Sequence, residues 1–583
     1  PIKGLSISGI VSPFINYQKK KAFKNSCGYT LPDDPETFGG YFDSGSTWTT
    51  NSLTETRNDD YNVTSQAIAN YMGTFGSHNL TVMAGFENYY MKSESLGAAR
   101  DKYELTGYPY LNIGSEDFQT NSGTGSEYTS NSVFGRVIYS YADRYLFQAN
   151  VRHDGSSRFA KGYRWGTFPS FSAGWVASEE KFMKNLKWDW LSFLKLRGSW
   201  GMLGNERIGS NYFPYIALMS FGNSLFYMAD GSVVSDKTAR PAVLAVEDIT
   251  WETTTSTDLG LDVNFLNNRL QFHFDYYWKE TKDMLLNIEI PYFMGYNNPS
   301  TNAGKMSTHG YDIEVAWNDQ IGDFKYGVNV NFSDFLSKID YMNDGEQISG
   351  GKIKRAGVLF NEFYGYVCEG IYQTQEEVNN SARTSTTVTV GDLKYRDISG
   401  PDGVPDGVIS PEYDRVPLGN SLPRFQYGGS LNASYKGIDF SLAFQGIGKQ
   451  NSYLSTSMVQ PLRDNYGNVP AILEGKYWSP FNTTEENLAA KYPRLSNVSK
   501  SNNYATSNFW MFNGSYFRLK NITLGYTLPK SWTQKAGINR ARFYVSGSDL
   551  FCLSNFPSGW DPEMGTSDYP ITTSLVMGIQ VNF

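Results

Sequence analysis

Long apolar runs are missing from this sequence. No stretch approaches the ~18 consecutive apolar residues that a membrane-crossing helix needs, and mean hydropathy is −0.43. That excludes a helical membrane protein but not a barrel, in which alternating apolar and polar residues average out. Cysteine is scarce. Cys27, Cys368 and Cys552 are odd in number and far apart, so they make neither a disulfide framework nor a CxxC metal site. Basic excess is missing too: a net charge of −8 and a pI of about 5.3 argue against a nucleic-acid partner. Catalytic signatures are lacking, with no G-x-S-x-G around Ser199 or elsewhere, no GxGxxG and no P-loop. His78, His153, His273 and His309 are scattered, with no Cys or His at metal spacing; His153 reads as a surface pair with Asp154, and His273 as a lumen-lining residue. The chain starts at Pro1 without Met or a signal-peptide pattern, which reads as a mature or truncated product.

Alternation is what the sequence has in quantity. Aromatics make up 16 % of residues, more than an ordinary core requires. In the last segment Leu575, Met577, Ile579, Val581 and Phe583 share one face, with mostly small or polar residues between them. Tyr145-Phe147-Ala149-Val151, Leu259-Leu261-Val263-Phe265, Leu270-Phe272-Phe274-Tyr276-Trp278, Tyr326-Val328-Val330-Phe332 and Leu431-Ala433-Tyr435 repeat the pattern. Lys436-Gly437 between two such runs predicts a hairpin.

Link lengths give an independent test. Short links fall near 142–144, 179–190, 266–268, 318–323, 436–437 and 529–540, and long ones near 155–162, 205–250, 284–305, 337–420, 452–512 and 552–571. They alternate, as short periplasmic turns and long extracellular loops do in an outer-membrane barrel. A soluble sandwich has no reason to sort its loops this way. The predicted fold class is therefore all-β, a transmembrane antiparallel β-barrel ending at the periplasmic rim. Before residue 80 the sorting fails: strands over Gly4–Tyr17, Ser46–Thr56 and Asn62–Phe75 would put the basic, turn-rich stretch 18–45 on the wrong side. The count comes to about 17 strands. An odd number does not close an ordinary bacterial barrel, which implies strands missing at the amino end.

Several stretches resemble SusC/RagA-type TonB-dependent outer-membrane transporters. They are the runs Phe134–Phe147, Arg152–Phe159, Arg164–Trp175, Leu194–Asn205, Asn513–Pro529 and Arg542–Phe551, with Asp561-Pro562-Glu563 before the last strand. The matches span about 130 to 583 in the family's order. The resemblance implies a barrel of about 22 strands with a plug inside. It also implies TonB as motor through an amino-terminal part, a SusD-like surface lipoprotein as lid, and pairing of two transporter–lipoprotein units. Residues 1–583 then read as the carboxy-terminal part of the barrel, without the plug or first strands. The expected function is TonB-dependent import of an oligomeric nutrient, glycan first. Oligopeptide import by the same machinery, a passive porin, or a secreted all-β glycan-binding protein are the alternatives, and no enzyme emerges.

The resemblance also marks an acidic loop. With Asp402 as position 1 of an EF-hand-like loop, Asp406 and Gly407 fall at 5 and 6; Val404 stands at 3, and the last acid, Asp414, comes one residue late. Asp402, Asp406 and Asp414 are thus candidate ligands of a structural Ca²⁺, the one candidate cofactor, against an ion-free acidic loop. Tyr276, Trp278, Tyr435, Phe444 and Tyr526 fit interfacial girdles. Loop aromatics (Tyr212, Phe213, Tyr215, Phe226, Tyr227, Tyr292, Phe293, Tyr296, Tyr453, Tyr466 and Trp478) can pack their loops or stack on a substrate. Phe583 reads as the terminal aromatic that serves as the assembly signal.

Overall fold

The computed structural model describes residues 2–583 except 32, 42–48, 187, 210, 344, 464–467, 497 and 566–568. Among the described residues sixteen strands form one antiparallel sheet in chain order. Its first six strands are β1 (Leu5–Lys24), β2 (Ser52–Phe75), β3 (His78–Asp101), β4 (Gln119–Tyr141), β5 (Tyr145–Ser156) and β6 (Trp165–Val176). There follow β7 (Leu191–Asn205), β8 (Glu252–Phe265), β9 (Leu270–Asn287), β10 (Ser300–Ile321) and β11 (Phe324–Met342). The last five are β12 (Arg424–Tyr435), β13 (Ile438–Lys449), β14 (Tyr516–Thr527), β15 (Arg540–Ser554) and β16 (Ser574–Asn582). Strands β1 and β16 pair on one side only, so the sheet is a wall with two free edges.

Sixteen strands replace the expected 17, and the difference lies in β2. The predicted pieces Ser46–Thr56 and Asn62–Phe75 form one strand from Ser52, while 46–48 lie outside the described residues. Strand β1 runs on to Lys24 and pairs with it from Leu5↔Tyr71 to Lys24↔Ser52. The gap between the two predicted pieces, 57–61, holds Arg57, Asp59 and Asp60, whose charges interrupt the apolar alternation. Hydrogen bonding continues regardless. Strands β2, β3 and β4 have 24, 24 and 23 residues, about twice what a tilted strand needs to cross a bilayer. Their upper halves stand in water, where an outward apolar face is not required.

With β2 whole, the alternation extends to the amino end, and the one pair of links out of order in length is 157–164, shorter than 177–190 after it. The link 25–51 is long and 76–77 is short, so the misplaced stretch moves to the long-loop side. The oddness argument for missing strands falls with it, since sixteen is even. Short turns are tightly made: Lys436 (φ 45°) and Gly437 (φ 91°) are both left-handed, as a two-residue hairpin matching strand twist demands.

Register separates the two faces. Leu261↔Phe274 and Val263↔Phe272 lie on the outer face, while Asp262↔His273 between them points to the lumen. The girdle residues Tyr276, Trp278, Tyr435 and Tyr526 are exposed on the outer face, and Phe444 leans on Phe517 at 5.7 Å. In β16, Leu575, Met577, Ile579 and Val581 share the outer register. Phe583 follows at the short-turn rim, where the Asn539 N–H donates to the Asn582 carbonyl at 2.8 Å.

Candidate functional site

The lumen face carries clusters of paired charge. Arg197 on β7 reaches Asp275 at 2.6 Å, Asp262 at 3.2 Å and Asp258 at 3.6 Å. His273, expected in the lumen, is there, 3.0 Å from Asp262. Arg152 on β5 bridges Glu87 (2.8 Å) and Asp154 (2.6 Å). The expected His153–Asp154 pair does not form, because neighbours in a strand face opposite ways. His153 stacks on Trp165 at 4.8 Å on the outer side and shares a hydrogen bond with Thr167.

At the upper end of β14, Arg518 is 2 % exposed. It is enclosed by Asp561 (2.7 Å), Glu563 (2.6 Å) and Asp549 (3.7 Å), with Lys520 2.7 Å from Asp549. Burial pushes the Asp561 carboxyl up, but Arg518 and the Glu563 N–H outweigh it and leave it below the usual carboxylate range. The Asp561-Pro562-Glu563 motif thus pins the last long loop to the wall.

Above the lumen the two longest links, 343–423 and 450–515, fold into one body. The Tyr366 N–H donates to the Thr506 carbonyl (2.8 Å) and the Arg494 N–H to that of Gly391 (2.8 Å). Leu393, Tyr395, Leu473 and Trp510, each at most 3 % exposed, share its core. Its cross-link is polar. Asp392, fully buried, accepts from Arg494 (2.7 and 3.3 Å), Ser499 (2.7 Å), Asn503 (2.9 Å) and the Thr389 N–H (2.9 Å). Burial lifts the Cys368 thiol to about 11 and the Tyr453 phenol to about 12, so both stay neutral.

The acidic loop belongs to this platform, and its carboxylates do not gather. Asp414 is fully buried and accepts from the N–H groups of Ile398, Ser399 and Ser410 at 2.7, 3.2 and 2.7 Å. Asp406 accepts from the Val408 N–H at 2.9 Å, and Asp402 is exposed. Among the described residues no group of three acidic, His or Cys side chains is placed to hold a metal. The arrangement does not fit the Ca²⁺ cage expected of Asp402, Asp406 and Asp414, because Asp414 caps backbone amides instead.

An aromatic cluster sits where β5 to β7 end and the taller β2–β4 wall continues; of its members the sequence pointed to Tyr212 alone, as a loop aromatic. Tyr89 and Tyr128 face the lumen, 5.9 Å apart, and Tyr212 lies 5.9 Å from Tyr128. The Arg158 guanidinium stands 4.3 Å from the Tyr212 ring and 5.4 Å from Tyr128. It donates to the Asn211 carbonyl at 3.0 Å, while its Nε has no partner. The Tyr128 hydroxyl donates to Glu206, whose other oxygen is buried without a partner. Tyr292 and Phe293 are 99 % and 89 % exposed at a loop tip; Trp478 is buried in the platform, and Tyr466 lies outside the described residues.

Residues 14–546 match the family model described as TonB dependent receptor-like, beta-barrel. The chain belongs to the TonB-dependent receptor family. As a TonB-dependent receptor of SusC/RagA type it is an outer-membrane β-barrel, so the short-turn rim is periplasmic. It is 30% identical over 560 residues to TonB-dependent receptor P3 of Formosa agariphila, covering 90% of this chain and 52% of that receptor. It is 28% identical over 538 residues to TonB-dependent receptor SusC of Bacteroides thetaiotaomicron, covering 90% and 50%. The RagAB peptide transporter has the same fold: TM-score 0.80 at 23% identity, over 100% of this chain and 60% of that one. The chain spans about half the length of the curated relatives it matches.

Proposed function

We propose that this wall belongs to an importer of an oligomeric nutrient, glycan in the first reading, taken up beneath a SusD-like lipoprotein and released inward by TonB. The cluster of Tyr89, Tyr128, Tyr212, Arg158 and Glu206 carries the reading. Tyrosine faces suit the apolar faces of sugar rings, and one cation beside one anion suits neutral hydroxyls, which both donate and accept. The platform made by 343–423 and 450–515 supplies a rigid surface for the lid. Oligopeptide is the second reading, and the fold shared with the RagAB peptide transporter favours it. The contribution is mechanical and recognitive, with no catalytic step, and two transporter–lipoprotein units pair in the assembly. A structural Ca²⁺ on the acidic loop would require Asp414 to leave its three amides; melting temperature unchanged by chelator is the expected result.

Native pulldown from the outer membrane tests this reading. Expected are a surface lipoprotein and a bound oligosaccharide, with Arg158→Ala lowering ligand recovery and leaving the lipoprotein in place. A barrel recovered alone and ligand-free counts against it. Phe583 enters the same proposal as the assembly signal: a chain ending at Asn582 reaches the outer membrane in lower amount, and unchanged abundance rejects that role.

A further inference from the structure

We infer that the outer wall at β13–β16, beside the periplasmic rim, is a binding site for an anionic phospholipid of the inner leaflet. A groove of about 740 Å³ runs there on the lipid-facing side. Two cross-strand rows form it: Tyr526, Phe543 and Ile579, then Leu524, Val545 and Met577. Val545 is shorter than Leu524 and Met577 on either side, so the surface dips along β15. Phe543 lies three residues from the strand's start at Arg540, about 10 Å along the chain, a depth occupied by inner-leaflet acyl chains.

Charge at the open end of the groove argues for a lipid with a negative headgroup. The turn 528–539 carries Lys530 and Lys535, both exposed, and no Asp or Glu, while Arg540 shares the lumen-side register of Arg542. The turn packs against β15, and Ala541, on the face shared by Phe543 and Val545, is buried there at 6 %. Lys436 lies 5.3 Å from the outward ring of Tyr435, beside Ile438 of the groove. The nearest acid on β13, Asp439, faces the lumen and is taken by Arg542. Three other short links carry acid: 177–190 mixes Glu179 and Glu180 with Lys181 and Lys184, 142–144 has Asp143 and 322–323 has Asp323, and the lone cation of 266–269, Arg269, is paired with Asp319. Trp532, 64 % exposed in the basic turn, is the residue type that settles at headgroup level. Apolar groove and cationic rim together match one amphiphile, with chain in the trough and phosphate at the lysines.

The test is native mass spectrometry of the full-length receptor in mild detergent, titrated with phosphatidylglycerol or phosphatidylcholine of the same acyl length. Phosphatidylglycerol is expected to be retained in preference. In the variant Lys436→Glu/Lys530→Glu/Lys535→Glu that preference drops by about fivefold per lysine, with phosphatidylcholine unchanged. Val545→Trp, which fills the trough, lowers retention of both lipids. Heat-modifiable gel mobility checks that each variant folds; if Val545→Trp does not, the lysine variant alone decides. Equal retention of the two lipids, indifference to the lysine changes, or a receptor dimer without bound lipid would each overturn the inference.

Discussion

Arg518→Ala is expected to release the Asp561-Pro562-Glu563 segment from the lumen wall. Arg518 is 2 % exposed and faces three carboxylates. Removing one member of a buried charge cluster costs about 3–5 kcal/mol, because the remaining charges lose their counter-ion without regaining water. Local opening of the loop then becomes at least about a hundredfold more frequent. Limited proteolysis reads this directly, as faster cleavage between 555 and 565 with the sheet intact. Arg518→Leu with Asp561→Asn and Glu563→Gln, which removes the stranded charges, recovers part of the loss. The pH dependence has a definite sign. The Asp561 carboxyl is held below its ordinary value, so its contribution is complete above the usual carboxylate range and is lost as pH falls through the lowered one. Cleavage at neutral pH as slow as in the parent would show that the cluster does not pin the loop.

The second large effect is at Asp392. Its carboxylate ties link 343–423 to Arg494, Ser499 and Asn503 of link 450–515. Asp392→Ala leaves Arg494 facing a void, at a cost of about 3–5 kcal/mol. Asp392→Asn keeps the volume and one acceptor, and costs less. The platform's core is separate from the strand register, so hydrogen exchange speeds up at 389–395 and 499–506 while β7–β10 keep their protection. Uniform loss of protection would mean that platform and wall fold as one unit.

Much of the wall was legible in the sequence because bilayer and lumen each impose a face. Leu259 to Phe265 against Leu270 to Trp278 gave hairpin, register and lumen residues together, His273 included. The charged stretch Arg57–Asp60, between the two predicted pieces, hides the continuity of β2 for the complementary reason. Above the lipid nothing requires an apolar outer face, so a continuous strand looked like two. His153 was misassigned by treating chain neighbours as spatial ones. Asp414 was readable as an acid in a Gly-rich loop, but spacing alone could not show whether its oxygens meet a cation or three backbone amides. Arg518–Asp561 and Arg158–Tyr212 join residues 43 and 54 positions apart. The available signal was an arginine in a lumen register or beside a strand end, which marks a charge needing partners without naming them.

The central claim is that this wall serves energised import beneath a lid. Uptake of the co-purified oligomer, measured in cells with and without TonB and with the receptor at equal abundance, tests it most directly. Import that stops when TonB is removed, while surface binding of the oligomer persists, is the predicted result; uptake at an unchanged rate without TonB would contradict it and point to a passive pore.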